Sequence, residues 1–312
     1  MDSFLYSINA TLPIFLMMIL GKVLHKLHII DDAFTNTADK YVFTVALPVL
    51  IFKDLTENDI RSSFQGDYVL FCFLCTLVII LGIWGLTELF MKKESEKGAF
   101  IQASYRSSAA ILGLAFINNM YSSAGMAPLM IIGAVPLFNI FAVVILTLKG
   151  SHAVRHSLQT TVVNVFKNPI LIAIFIALPF AFLNVRFPVF LDKAVNGIAG
   201  TATPLALISI GASFEGRGAI RKIRPAAIAA FIKLIGLAAL FLPAAIWLGY
   251  RGPELMAVLI MLASPSTVSC YIMAKNTGND SVLTSSIIVL TTLFSSITLT
   301  GWIFLLHSLN LL

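Results

Sequence analysis

The sequence predicts an all-α membrane protein of ten transmembrane helices, arranged as two inverted five-helix repeats. Three observations predict this. The mean hydropathy is +0.93 with 12% charged residues, where soluble domains carry roughly a quarter. Charges gather between apolar runs of about 20 residues, the length that spans a ~30 Å hydrocarbon core. Two prolines recur at one offset: Pro13 with Pro169 and Pro48 with Pro204 are each 156 positions apart.

In order, the apolar windows run approximately Ile8 to Leu24, Thr35 to Phe52, Tyr68 to Phe90, Ala99 to Asn118, Met126 to Leu148, Pro169 to Leu183, Val195 to Phe214, Ala226 to Leu248, Leu255 to Ala274 and Val282 to Leu305. The first lacks a basic leader and a small-residue cleavage site, so it reads as a span and not a signal peptide. Fourteen Lys and Arg fall in the loops after odd-numbered spans and five on the other side. The positive-inside rule makes the first set cytoplasmic and both termini external, as in a multi-pass plasma-membrane protein. Residues 149–168 form a short basic loop between repeats at 1–148 and 169–312. An odd number of spans per repeat inverts the second copy, as in many secondary transporters.

The same composition excludes other classes. The formal charge of +6 is scattered over loops without a basic, aromatic-lined patch, which argues against nucleic acid. Cys72, Cys75 and Cys270 lie inside apolar runs, so neither a disulfide framework nor a metal cluster is expected. No HExxH, nucleophile elbow or phosphate-cradling glycine loop occurs, and catalysis is not expected. The acidic residues and the five histidines lie in loops or near span ends. A mid-membrane carboxylate pair, the usual device for proton exchange, is not in view.

Spans four and nine carry the candidate chemistry. Span four holds Arg106, Ser107, Ser108 and Gly113; span nine holds Ser264, Pro265, Ser266 and Thr267. Pro265 removes a backbone donor and clashes with the preceding turn, so it should break span nine at mid-depth. Backbone groups freed in hydrocarbon need protein or a water-filled cavity to receive them. Small hydroxyl residues also serve plain helix packing, which is the competing reading. An intramembrane guanidinium at Arg106 is costly and would suit an anionic solute held bidentately; a snorkelling or internally paired arginine is the alternative. Lys233 at similar depth reads more readily as a snorkelling lysine. Pro48 and Pro204 are candidate helix breaks or hinges, with packing kinks as the rival.

The stretches ALPVLIF in span two, KNPILIA opening span six, ATPLALISIGASF in span seven, FIKL in span eight and ASPSTVSCYIMAKNTGND from span nine onward resemble the auxin efflux carrier family, which includes plant PIN proteins and bacterial malate permeases. The resemblance covers essentially the whole chain. It implies broken helices four and nine that cross near the membrane centre, a scaffold of spans one, two, six and seven, a moving transport body of the others, organic-anion substrates and a possible homodimer. By similarity, the crossover site draws on Ser107, Ser108, Gly113, Ser264, Pro265 and Ser266. This chain departs from relatives in reading Gly113-Leu114-Ala115 where many carry a crossover proline. The expected activity is alternating-access transport of a small organic anion such as a carboxylate or auxin-like acid. No cofactor is expected beyond a possible coupling ion, Na⁺ or H⁺. Sodium-coupled import of the bile-acid type, and a receptor or subunit without flux, are the alternatives.

Overall fold

The computed structural model describes residues 2–56, 65–109, 126–150, 167–183, 185, 187–214 and 216–312. Among these the regular elements are all helical. They are α1 (Asp2–Lys26), α2 (Asp32–Tyr41), α3 (Leu47–Thr56), α4 (Gly66–Phe90), α5 (Glu94–Tyr105), α6 (Ala127–Lys149), α7 (Pro169–Leu183), α8 (Val189–Ser213), α9 (Gly216–Arg221), α10 (Ile223–Phe231), α11 (Leu237–Trp247), α12 (Gly252–Ala263), α13 (Ser269–Asn276) and α14 (Ser281–Ser308). Two π-helical turns, Val42–Ala46 and Ile232–Gly236, join α2 to α3 and α10 to α11 without interrupting the rod.

Five of these rods are long and apolar enough to cross a membrane: α4, α6, α8, the run Ile223–Trp247, and α14. α12 and most of α7 are shorter apolar helices. Their outer faces are the reverse of a soluble surface: Leu86, Phe90, Leu240, Trp247 and Phe304 are all exposed. Acyl chains cover such side chains at no hydrophobic cost, so interhelical cohesion comes from packing and polar contacts.

The buried apolar side chains gather in separate cores. The largest apolar core draws on α4, α5, α6, α11, α12 and α14, with Tyr68, Ile80, Met130 and Leu259 fully enclosed. A second joins α1, the first π turn and α8 to α13 through Val42, Ala46, Ile210 and Ile272. A third packs α3 and α7 against α6. Within the second core α1 and α8 cross at backbone contact. A Cβ on Gly211 would lie 1.9 Å from the Met18 carbonyl oxygen, and one on Gly21 would lie 2.2 Å from that of Ile208. Both positions need glycine for this approach.

The three prolines expected to interrupt helices behave differently. Pro265 does so: α12 stops at Ala263, Ser264 is extended (φ −71°, ψ 157°), and helix resumes at Ser269. Pro204 does not, and that expectation is corrected, since α8 runs unbroken from Val189 to Ser213 with Pro204 inside it. Pro48 follows the π turn, where the Leu47 N–H reaches Val42 O in a widened loop. That wider turn accommodates the proline, so the rod continues into α3.

One end of the bundle is tied by ion pairs. Lys97 bridges Glu88 and Glu94, Lys149 reaches the same two carboxylates, and Lys222 joins Glu96 to Asp280. Burial works against the Lys222 ammonium, but its Asp280 and Glu96 partners outweigh this and hold it above the ordinary lysine value. Asp39 on α2 is buried and pairs with Lys275 at 2.6 Å. The bridge joins α2 to α13. The lysines of these pairs are among those the charge count places on one side.

Candidate functional site

Two helices end beside one another. α5 and α12 are each 12 residues long, and each terminates in an extended residue, Arg106 (φ −66°, ψ 142°) and Ser264. The extended strands cross and hydrogen-bond. The Ser108 N–H donates to Pro265 O at 3.0 Å, Ser107 and Ser264 share a 2.5 Å Oγ–Oγ contact, and the Ser107 hydroxyl also approaches Ile260 O at 3.2 Å. On the other side the Ser266 hydroxyl donates to Ala103 O, while the Ser266 N–H donates to Thr291 Oγ1 at 3.2 Å. Backbone groups freed by the breaks are thus met by small hydroxyl side chains, which an apolar residue could not do.

A cavity of about 160 Å³ opens beside the crossing, bordered by α3, α6 and α8. Arg106, Ser107, Ser108, Thr267 and Ser269 form its polar wall with Asn139 of α6; Leu47, Leu50, Ile51, Phe138 and Ala206 form the apolar one. Arg106 is only 4% exposed. Its Nη2 donates to Asn139 Oδ1 at 2.8 Å and to Ser269 Oγ at 2.9 Å, and Nη1 lies 2.8 Å from Met273 Sδ. Its Nε is buried without a partner. No carboxylate among the described residues forms an ion pair with it. A buried cation with only neutral acceptors is costly, and an anion in the cavity would relieve that cost. The first residues of α13 border the same space, where the positive end of a helix dipole favours negative charge.

The family model described as membrane transport protein, the auxin efflux carrier family, matches residues 6–303. The chain belongs to that family. Its relatives include an uncharacterized transporter of Methanocaldococcus jannaschii, 23% identical over 95% of this chain and 98% of its own length. A "Putative malonate transporter" of Rhizobium meliloti is likewise 23% identical, over 95% of each chain. A lysosomal cholesterol signaling protein of Mus musculus is 22% identical over 75% of this chain but only 28% of its own. Membrane transport is therefore the activity of this family member at the coarse level.

Within this transporter, the residues singled out from sequence divide in two. Arg106, Ser107, Ser108 and Thr267 line the cavity. Ser264, Pro265 and Ser266 instead build the crossing and are not among the cavity-lining residues. Gly113, with Ala115, lies outside the described residues. Arg106 does not snorkel: it is enclosed by α6 and α13. Lys233 does not snorkel either. It is 0% exposed and its Nζ donates to Leu262 O at 2.8 Å and Met261 O at 3.2 Å, the last carbonyls of α12. The acidic residues do not all keep clear of the candidate site, because Asp54 of α3 also borders the cavity.

Three further contributors were missed. Asn139 was detectable, being a lone amide inside an otherwise apolar span, which is rare unless it serves a partner. Ser269 ends the hydroxyl-rich run after Pro265, and Thr203 neighbours Pro204; neither has a distinguishing pattern. Asn139→Leu, which removes an acceptor of Arg106 and the clamp on its Nη2, is expected to raise the apparent KM for a transported carboxylate about tenfold, read from initial uptake rates in proteoliposomes. Among the described residues no three His, Cys, Asp or Glu side chains converge as a metal site.

Proposed function

We propose that the protein is a secondary carrier of small organic anions, moving a mono- or dicarboxylate by alternating access at the α5/α12 crossing. The observation that carries this is Arg106: a buried guanidinium in a cavity wall, held by the neutral side chains of Asn139 and Ser269, with an unpartnered Nε and no ion pair to a carboxylate among the described residues. A planar fork suits a carboxylate, while the hydroxyls of Ser107, Ser108 and Thr267 supply further donors. A cavity near 160 Å³ is small beside the 300–1,000 Å³ of drug-sized sites, which favours a compact acid of the malonate class. The relative named for malonate transport supports the same class.

The proposed architecture is ten spans in two inverted repeats about the 149–168 loop. The matched lengths of α5 and α12, and their matched extended ends, support it. The body containing α1, α3, α7 and α8 is the scaffold and the other moves against it, with the Asp39–Lys275 pair on the cytoplasmic side. Both termini are then external, the setting is the plasma membrane, and a homodimer is compatible with this division. An inside-negative potential would favour anion export by ~2.3 kcal/mol per charge per 100 mV.

The test is purified protein in liposomes with labelled malonate, succinate, acetate and an indole acid, each with and without Na⁺ and H⁺ gradients. Saturable flux of at least one acid is expected, and competition among acids of similar size. Movement of a cation or neutral solute without any acid would reject the reading. The mouse relative's name concerns signalling, and an absence of flux for every solute would favour a receptor-like role.

A further inference from the structure

The π turn at Ile232–Gly236 projects Lys233 from the α10–α11 rod toward the broken end of α12. Its ammonium is fully enclosed and bonds two carbonyls, Met261 O and Leu262 O, which lie just before the extended Ser264. A helix that stops inside a bilayer leaves its last carbonyls unpaired and the negative end of its dipole exposed. Such a terminus is where an unwound helix binds a monovalent cation, because oxygen dipoles replace the ion's hydration shell. Here no carboxylate among the described residues reaches the ammonium. Among the described residues its compensation is the carbonyl dipoles of Met261 and Leu262.

We propose that Lys233 is a tethered cation occupying the position of a coupling ion at the α12 break, so that transport is independent of Na⁺. This rests on the anion-carrier reading and adds how that carrier is energised. A free cation binds and leaves in each cycle and so couples its gradient to the solute. A covalently held ammonium stays at the broken helix throughout the cycle and so couples no Na⁺ gradient. It also keeps the crossing assembled when the cavity is empty, since Met261 and Leu262 stay fixed beside Ser264 and hence beside its Ser107 contact. Lys233 is on these grounds a positioning residue: the cavity lining does not include it.

The alanine and methionine variants separate a cation site from a packing role. Lys233→Ala leaves a hole the size of an alkylammonium, whereas Lys233→Met fills the space without charge. Thermal unfolding in detergent is measured for both variants and the parent protein in choline, Na⁺ and methylammonium chlorides at equal ionic strength. Methylammonium is expected to raise the midpoint of Lys233→Ala by about 2–4 °C over choline, and to leave the parent and Lys233→Met unmoved. Malonate uptake by the parent protein is expected to be equal in Na⁺ and choline. Lys233→Ala uptake should fall at least tenfold and recover in methylammonium, or become Na⁺-dependent. Na⁺-dependent uptake by the parent protein overturns the proposal, and so does Lys233→Ala gaining nothing from either cation. If the parent protein moves no acid in any buffer, the carrier reading fails, while the unfolding comparison still decides whether a cation occupies the site.

Discussion

Arg106→Gln is expected to reduce the affinity for a transported carboxylate by about 30-fold or more while leaving the purified protein folded. Removing one partner of a buried, hydrogen-bonded charge pair costs about 2–5 kcal/mol, and each 1.4 kcal/mol is tenfold. The variant should fold because the partners described for Arg106 are neutral and keep other contacts. Asn139 keeps its own Nδ2 bond to Val135 O, and Ser269 keeps its contact with Thr267. Arg106→Lys should fall between the two. An ammonium retains the charge but cannot span Asn139, Ser269 and a carboxylate from one plane. Equilibrium binding of labelled malonate, run beside size-exclusion profiles, checks both halves. An unchanged Kd in a well-folded variant would remove Arg106 from the binding site and leave it as a structural clamp between α6 and α13.

Much of this arrangement was readable in the residues, for identifiable reasons. Pro265 announces the break in span nine because a missing N–H and a ring clash act locally, whatever surrounds them. Pro204 carries the same local defect, yet α8 absorbs it without ending. Whether a proline breaks or only bends a helix is set by neighbouring packing, which the sequence does not display. Arg106 stood out because charge in an apolar span has few inexpensive explanations. Its partners Asn139 and Ser269 lie 33 and 163 positions away, so no window along the chain joins them. Lys233 was misjudged for the same reason. The α12 carbonyls it meets are 28 and 29 residues distant, and a π turn, invisible in composition, aims it inward. Ser264 and Ser266 were assigned to the solute, yet they bond Ser107 and Ala103 and are not among the cavity-lining residues. From sequence, a hydroxyl that pairs backbone and one that faces a cavity look alike.

Substituting valine at Gly211 is expected to be the most damaging single change outside the cavity, since the obstruction it creates is backbone on both sides. Its Cβ would lie 1.9 Å from Met18 O, with Met18 C and Cα also under 3 Å, and the reciprocal glycine, Gly21, faces Ile208 in the same way. A flexible side chain could swing aside; a helix backbone moves only as a rod. α1 and α8 must therefore separate, which opens the second core around Ala46, Ile210 and Ile272. Overpacking typically costs about 1–3 kcal/mol, and here the displaced atoms cannot relax locally, so the upper end applies. For a chain of this size that lowers the unfolding midpoint by roughly 5–10 °C, visible as loss of the monodisperse peak after mild heating. Gly197→Ala and Gly200→Ala on the same helix are the matched controls, because a Cβ there meets nothing within 4 Å. Both should be neutral or stabilising, alanine being the better helix former by up to ~1 kcal/mol. Should Gly211→Ala behave like Gly200→Ala, the two helices are not in backbone contact, and the body proposed as scaffold loses the contact that makes it rigid.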